Sequence, residues 1–90
     1  MSSAPALPSA GSITMFSTSW CSFSTRLRTA LDGEGISYRE IDIERHPTGA
    51  DYVMSVNGGN QTVPTVVFSD GTTATNPSLA EVRRRLTSLD

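Results

Sequence analysis

The sequence predicts a single α/β domain with the element order β-α-β-α-β-β-α, and three observations carry that prediction. Short β-prone runs recur along the chain, and between them lie segments whose apolar residues return at helical spacing. Clusters of Gly, Pro, Asn, Asp and Ser separate the two kinds of segment. Ninety residues, 37% of them hydrophobic, make one modest core and leave no room for a second domain.

Met1 to Gly11 consists of Ser, Ala, Pro and Gly around one isolated leucine, Leu7. Such a segment buries too little apolar surface to offset the entropy of ordering, so residues 1–11 read as a mobile tail or a vector-derived remnant. The domain proper runs from Ser12 to Asp90, with no internal repeat. Ile13 to Phe16 form a strand that stops at the polar cluster Ser17, Thr18 and Ser19. Cys21 follows. From Phe23 onward, Phe23, Leu27, Ala30 and Leu31 mark a helical stripe, and Gly33 and Gly35 supply its stop. Tyr38 to Ile43 alternates Ile41 and Ile43 with charges, as a strand with one wet face would.

His46, Pro47 and Thr48 read as a break, and Gly49 to Val56 as a short helix closed by Asn57, Gly58, Gly59 and Asn60. Val63 to Phe68 is apolar except for Thr65 and is interrupted only by Pro64, so a buried strand begins just after the proline. Asp70 and Gly71 mark a hairpin turn into Thr72 to Thr75. Asn76, Pro77 and Ser78 open a last helix that carries Leu79, Val82, Leu86 and Leu89 on one face. Arg83, Arg84 and Arg85 are expected to favour the negative end of that helix.

Composition excludes several functions. One cysteine per chain rules out an intrachain disulfide, a four-thiolate metal site and a disulfide-stapled secreted scaffold. Seven basic against nine acidic residues, net charge -2, give no electrostatic footprint for nucleic acid or an anionic membrane. No apolar run approaches the ~20 residues needed to cross a bilayer. The N-terminus has neither the basic start nor the apolar stretch of a signal peptide, which points to the cytoplasm, where a free thiol stays reduced. His46 has no second ligand in the pattern around it and reads as a surface residue, and no metal site is expected.

The chemistry therefore centres on Cys21. A cysteine just before the first turn of a helix faces free backbone N–H groups and the positive end of the macrodipole, both of which stabilise a thiolate, the nucleophilic form. Arg26 and Arg28 are expected to add a small cationic bias, from helix positions that point at least partly to solvent. A buried cysteine acting as a small hydrophobe is the bland alternative, but the polar neighbours Ser19, Ser22 and Ser24 argue against it. Trp20, in the loop, reads as an exposed interface residue, and Phe23 fits equally an apolar wall beside the sulfur or the first core position of the helix.

The run Ser19-Trp20-Cys21-Ser22-Phe23-Ser24 after a short strand, with Thr62-Val63-Pro64-Thr65 about forty residues later, resembles the glutaredoxins of the thioredoxin fold. The resemblance spans Ile13 to Leu89. Ser-Trp-Cys at 19 to 21, Ser-Val-Asn-Gly-Gly-Asn at 55 to 60, Thr-Val-Pro-Thr at 62 to 65 and Thr-Asn-Pro-Ser at 75 to 78 look most like the mycoredoxins of that family. It implies a four-stranded mixed sheet flanked by three helices, and a thiol-disulfide oxidoreductase with no bound cofactor and a low-molecular-weight thiol as co-substrate. Cys21 matches the family's catalytic cysteine. Thr18, Trp20, Ser22, Phe23, Thr62, Val63, Pro64, Asn76, Pro77 and Ser78 match positions around the thiol substrate. The resemblance makes the Val63-Pro64 bond cis, with the Val63 backbone free to pair with an extended substrate as a neighbouring strand would.

Two departures shape the substrate expectation. Thr18 stands where glutathione-using members carry Lys or Arg, and Ala74-Thr75 replaces their Gly-Gly, so mycothiol, which has no carboxylate, is expected ahead of glutathione. Ser24 stands where dithiol members have a second cysteine, and its hydroxyl can donate to a thiolate but cannot resolve a mixed disulfide. Ser24 is either native to a monothiol branch or an engineered replacement, and both origins stay open. The expected partners are mycothiol and mycothiolated or otherwise oxidised client proteins, met by a monomer. Two other readings compete. Cys21-Ser22-Phe23-Ser24 is one residue from the Cys-Gly-Phe-Ser signature of glutaredoxins that carry a [2Fe-2S] cluster as a dimer, and an inert thiol would leave only a binding module.

Overall fold

The structure, a computed structural model, describes residues 6–89, so the first five residues of the expected tail lie outside the described residues. Residues 6–11 carry no helix or strand and are largely exposed. Ser12 ends this stretch by donating from its N–H and its Oγ to Ser9 O, at 3.0 and 2.9 Å.

Seven elements follow in the expected order: β1 (Ser12–Ser17), α1 (Ser22–Gly33), β2 (Ser37–Asp42), α2 (Pro47–Val56), β3 (Thr65–Val67), β4 (Thr73–Thr75) and α3 (Leu79–Leu89). They build one mixed four-stranded sheet in the order β2-β1-β3-β4. β1 runs parallel to β2, with Ser12 opposite Ser37 and Ser17 opposite Asp42. It runs antiparallel to β3, with Phe16 opposite Thr65, and β3 in turn pairs antiparallel with β4. The parallel pair needs a crossover, which α1 provides.

Alternation along β1 divides the core between the two faces of the sheet. Ile13 and Met15 pack with Leu27 and Leu31 of α1, Val66 and Phe68, and Val82 and Leu86 of α3. Phe16 points the other way and packs with Ile43, Val67, and Ala50 and Val53 of α2. Phe16 also lies beside Tyr52, with ring centroids 5.4 Å apart. α1 and α3 thus cover one face and α2 the other. Gly49 lets α2 approach closely, since a Cβ there would lie 3.2 Å from Ile41 Cγ2 and 3.4 Å from Phe16 Cε1.

Two expectations are corrected. Pro47 and Thr48 belong to α2 rather than to a break before it, because proline fits the first helical turn, where its missing N–H has no partner to lose. Arg83 to Arg85 do not serve the negative end of α3, which continues to Leu89 with no basic residue in its last turn. Arg83 pairs with Glu34 at 3.4 Å. Arg85 donates to Thr73 O at 3.0 Å, with its guanidinium 4.1 Å from the Phe68 ring centroid, and so staples α3 to β4. The Asp70–Gly71 turn forms as expected, with Gly71 at φ +87 and Asp70 Oδ1 accepting from both Thr72 N and Thr72 Oγ1.

Candidate functional site

β1 delivers the chain to a short loop, and Cys21 caps the helix that follows, with φ -79 and ψ 119. Its backbone is fixed on both sides. Cys21 N–H donates to Thr18 O at 3.4 Å, while Thr25 N–H and Thr25 Oγ1 donate to Cys21 O at 3.0 and 3.2 Å. An ion pair supports this start from below: Arg28 grips the Glu40 carboxylate of β2, and Ser17 Oγ donates to Glu40 Oε2 at 2.6 Å. The Arg28 guanidinium holds the Glu40 carboxyl below its ordinary range. Arg28 is therefore committed to Glu40, and the expectation that it biases the sulfur is not how the charge is used.

The thiol is 7% exposed and donates to Val63 O at 3.8 Å. Val63 precedes Pro64 across a cis peptide bond, as the resemblance implied. Ser24 lies in the first turn of α1, and its Oγ is buried with no hydrogen-bond partner. Burial pushes the Cys21 thiol up, but the Ser24 hydroxyl and the N–H groups of Ser24 and Phe23 favour the thiolate more, and the thiol ends below its ordinary value.

The remaining residues fall into three groups. Phe23, Arg26 and Leu27 of α1 face Asn76, Pro77 and Ser78 across a groove of about 370 Å³. Phe23 is 51% exposed, so it serves as a wall and not as a core residue, and the Arg26 guanidinium lies 5.8 Å from its ring centroid. Asn76 adopts φ +48 and donates its N–H to Pro64 O at 2.7 Å, joining the groove to the proline loop. Ser78 caps α3, its Oγ accepting from Glu81 N–H at 3.1 Å. Trp20, 71% exposed, donates its indole N–H to Glu44 Oε2 at 3.1 Å. Ser22 and Thr62 are exposed, and Thr62 O accepts from Thr65 Oγ1 at 2.7 Å.

Thr18 differs from expectation. Its side chain is buried and its Oγ1 has no partner, so it does not present a hydroxyl to a substrate at the surface. Sequence reasoning also missed two residues. Glu44 orients Trp20 from another element, and Asn57, read only as part of a turn, reaches Thr65 and Thr75 with its side chain. His46 is exposed at the start of α2. Among the described residues no three His, Cys, Asp or Glu side chains cluster as a metal site, and no helix is long and apolar enough to cross a membrane.

Comparison with known proteins agrees with this geometry. The glutaredoxin family model matches residues 13–72. Over 77 residues the chain is 52% identical to a Mycobacterium tuberculosis protein classed as a glutaredoxin, a match that covers 86% of this chain and 92% of that protein. It is 43% identical over 77 residues to mycoredoxin 1 of Corynebacterium glutamicum, covering 86% and 95%. The glutaredoxin of Methanosarcina mazei superposes with a TM-score of 0.71 at 17% identity, covering 86% of this chain and 79% of that one, which shows the shared fold.

Proposed function

This chain belongs to the glutaredoxin family of thiol-disulfide oxidoreductases and stands close to the mycoredoxins, and from that premise we propose that it reduces protein–mycothiol mixed disulfides by a monothiol cycle at Cys21. The observation that carries the reading is the arrangement at Cys21, a cysteine at the N-cap position of α1 whose thiolate is favoured by an otherwise unsatisfied hydroxyl. The Cys21 thiolate attacks the mycothiol sulfur of the mixed disulfide. The bond to the protein sulfur breaks, the protein leaves as a thiolate that takes a proton from water, and mycothiol stays joined to Cys21. A second mycothiol thiolate then attacks the bound mycothiol sulfur, releasing mycothiol disulfide and regenerating the Cys21 thiolate. No cysteine of this chain can substitute for that second thiol, since Cys21 is its only one.

The groove between Phe23 and Asn76–Ser78 would take the body of the small thiol, and the Val63 backbone would pair with the extended substrate chain. Trp20 and Phe23 would form the apolar rim for client proteins. The enzyme is read as a cytoplasmic monomer, in a compartment that keeps its free thiol reduced. Incubation with mycothiol disulfide followed by intact mass should show one mycothiol adduct, absent in Cys21→Ser, and no adduct on the parent would sink the proposal. Parallel turnover with mycothiol and glutathione tests the small thiol. Faster turnover with glutathione would refute the mycothiol assignment and leave the thiol chemistry standing.

A further inference from the structure

Asn57 ends α2 with φ -124, a backbone conformation open to any residue, while the positive φ values of the turn fall on Gly58 and Gly59. Turn geometry therefore does not account for an asparagine here. Its side chain does. Nδ2 donates to Val53 O at 2.9 Å and to Thr65 Oγ1 at 3.1 Å, and Oδ1 accepts from Thr75 Oγ1 at 2.7 Å. Both amide protons and one oxygen lone pair are in use. Thr65 Oγ1 passes the connection on to Thr62 O. One amide thus joins the end of α2, the first residue of β3, the last residue of β4 and, through Thr65, the residue before Val63.

The stretch from Gly58 to Thr62 is exposed and brings no core packing to the loop that contacts Cys21. Val63 packs its side chain against the core on the α2 face, which leaves the setting of its backbone to the polar ties on either side. We propose that Asn57 is a positioning residue that sets the Thr62–Thr65 loop, so that the Val63 backbone faces Cys21 and pairs with an extended disulfide substrate. The inference rests on the Val63 pairing proposed above. Without the amide, the Thr65 hydroxyl loses a donor and the Thr75 hydroxyl loses its acceptor, so the loop keeps the Thr65–Thr62 bond, the Asn76 contact to Pro64 O and the packing of Val63, but loses its tie to the end of α2 and to β4.

The test compares parent and Asn57→Ala chains with a blocked tripeptide whose central cysteine is disulfide-bonded to thionitrobenzoate. The Cys21 thiolate attacks the peptide sulfur, the disulfide breaks, and coloured thionitrobenzoate leaves. N57A should raise the half-saturating peptide concentration about tenfold, with the limiting rate and the iodoacetamide alkylation rate of Cys21 changed less than about threefold. Alkylation needs the thiolate but no strand-like pairing, so a purely structural role would move neither rate nor saturation in the folded chain. A parent-like half-saturation in folded N57A, or an equal fall in alkylation, overturns the proposal. Should circular dichroism show N57A unfolded, Thr75→Val decides: a rise of about threefold in half-saturation supports the proposal, and no rise overturns it. The underlying pairing is judged separately on the parent. If N-acetylcysteine in the same disulfide saturates at the same concentration as the tripeptide, the pairing fails and the role of Asn57 with it.

Discussion

Replacing Ser24 by alanine removes a buried hydroxyl whose worth to the protein should depend on the protonation state of Cys21. Ser24 Oγ is fully buried and unsatisfied, and a protonated Cys21 offers it only a weak sulfur acceptor. An unmade hydrogen bond of this kind costs about 1–3 kcal/mol, so Ser24→Ala should stabilise the thiol form by about 1 kcal/mol. With Cys21 ionised, the same hydroxyl donates to the sulfur, and a hydrogen bond to a charged group contributes about 1.5–3 kcal/mol. The variant should then be less stable than the parent by about 1 kcal/mol, after allowance for the N–H donors of Ser24 and Phe23 that remain. The sign follows from linkage. The Cys21 thiol lies below its ordinary value in the folded chain, so its contribution to stability is present above the unfolded value near 8.5 and is lost as pH falls through the folded one. Urea unfolding of both proteins across about pH 5 to 9.5 should show the two stability curves crossing. The pH profile of iodoacetamide alkylation should move toward alkaline pH: the swing of about 2 kcal/mol lowers the thiolate population about thirtyfold, the less acidic thiolate recovers part of that in nucleophilicity, and the rate near neutrality should fall by about five- to tenfold. Parallel stability curves together with an unmoved alkylation profile would show that Ser24 does not govern the thiolate.

Three further outcomes follow from the packing and charge network. Glu40→Gln removes the charge that grips Arg28 while leaving an amide oxygen able to accept from Ser17, and should cost about 1 kcal/mol near neutral pH, since the pair is partly exposed to solvent. Because the Glu40 carboxyl is held below its usual value of about 4.3, its contribution exists above that pH and fades on acidification, so urea midpoints of parent and variant should converge as pH falls through the folded carboxyl's value. Gly49→Val drives side-chain atoms into Ile41 and Phe16, and a loss of about 2 kcal/mol or more is expected in the same assay. Trp20→Ala should leave the melting temperature within about 2 °C of the parent, while slowing the reduction of protein disulfides by about fivefold and that of small disulfides hardly at all. Equal slowing of both substrate classes would remove Trp20 from the client interface.

What could be read from the sequence was what local pattern controls. The strand that stops at Ser17, the cysteine at a helix start and the strand that begins after Pro64 each depend on neighbours within a few residues, and each appears where the pattern puts it. The polar run Ser17-Thr18-Ser19 looked like a solvated loop, yet Ser17 and Thr18 are buried, because hydroxyls pattern as loop residues whether or not tertiary structure covers them. Phe23 fits the helical stripe, but the first turn of α1 faces the Asn76–Ser78 segment across an open groove, so its ring stays half exposed. Asn57 was hidden for a related reason: its partners Thr65 and Thr75 lie on other elements, and an Asn-Gly-Gly-Asn cluster already has a sufficient local explanation as a turn. Ser24 combines both kinds of legibility. Its place three residues after Cys21 is a matter of spacing, but only the fold shows that its hydroxyl is buried without a partner of its own, where it favours the Cys21 thiolate. A hydroxyl there can favour a thiolate and cannot attack a disulfide, so activation and resolution are separable: this chain keeps the first within itself and must take the second from another molecule.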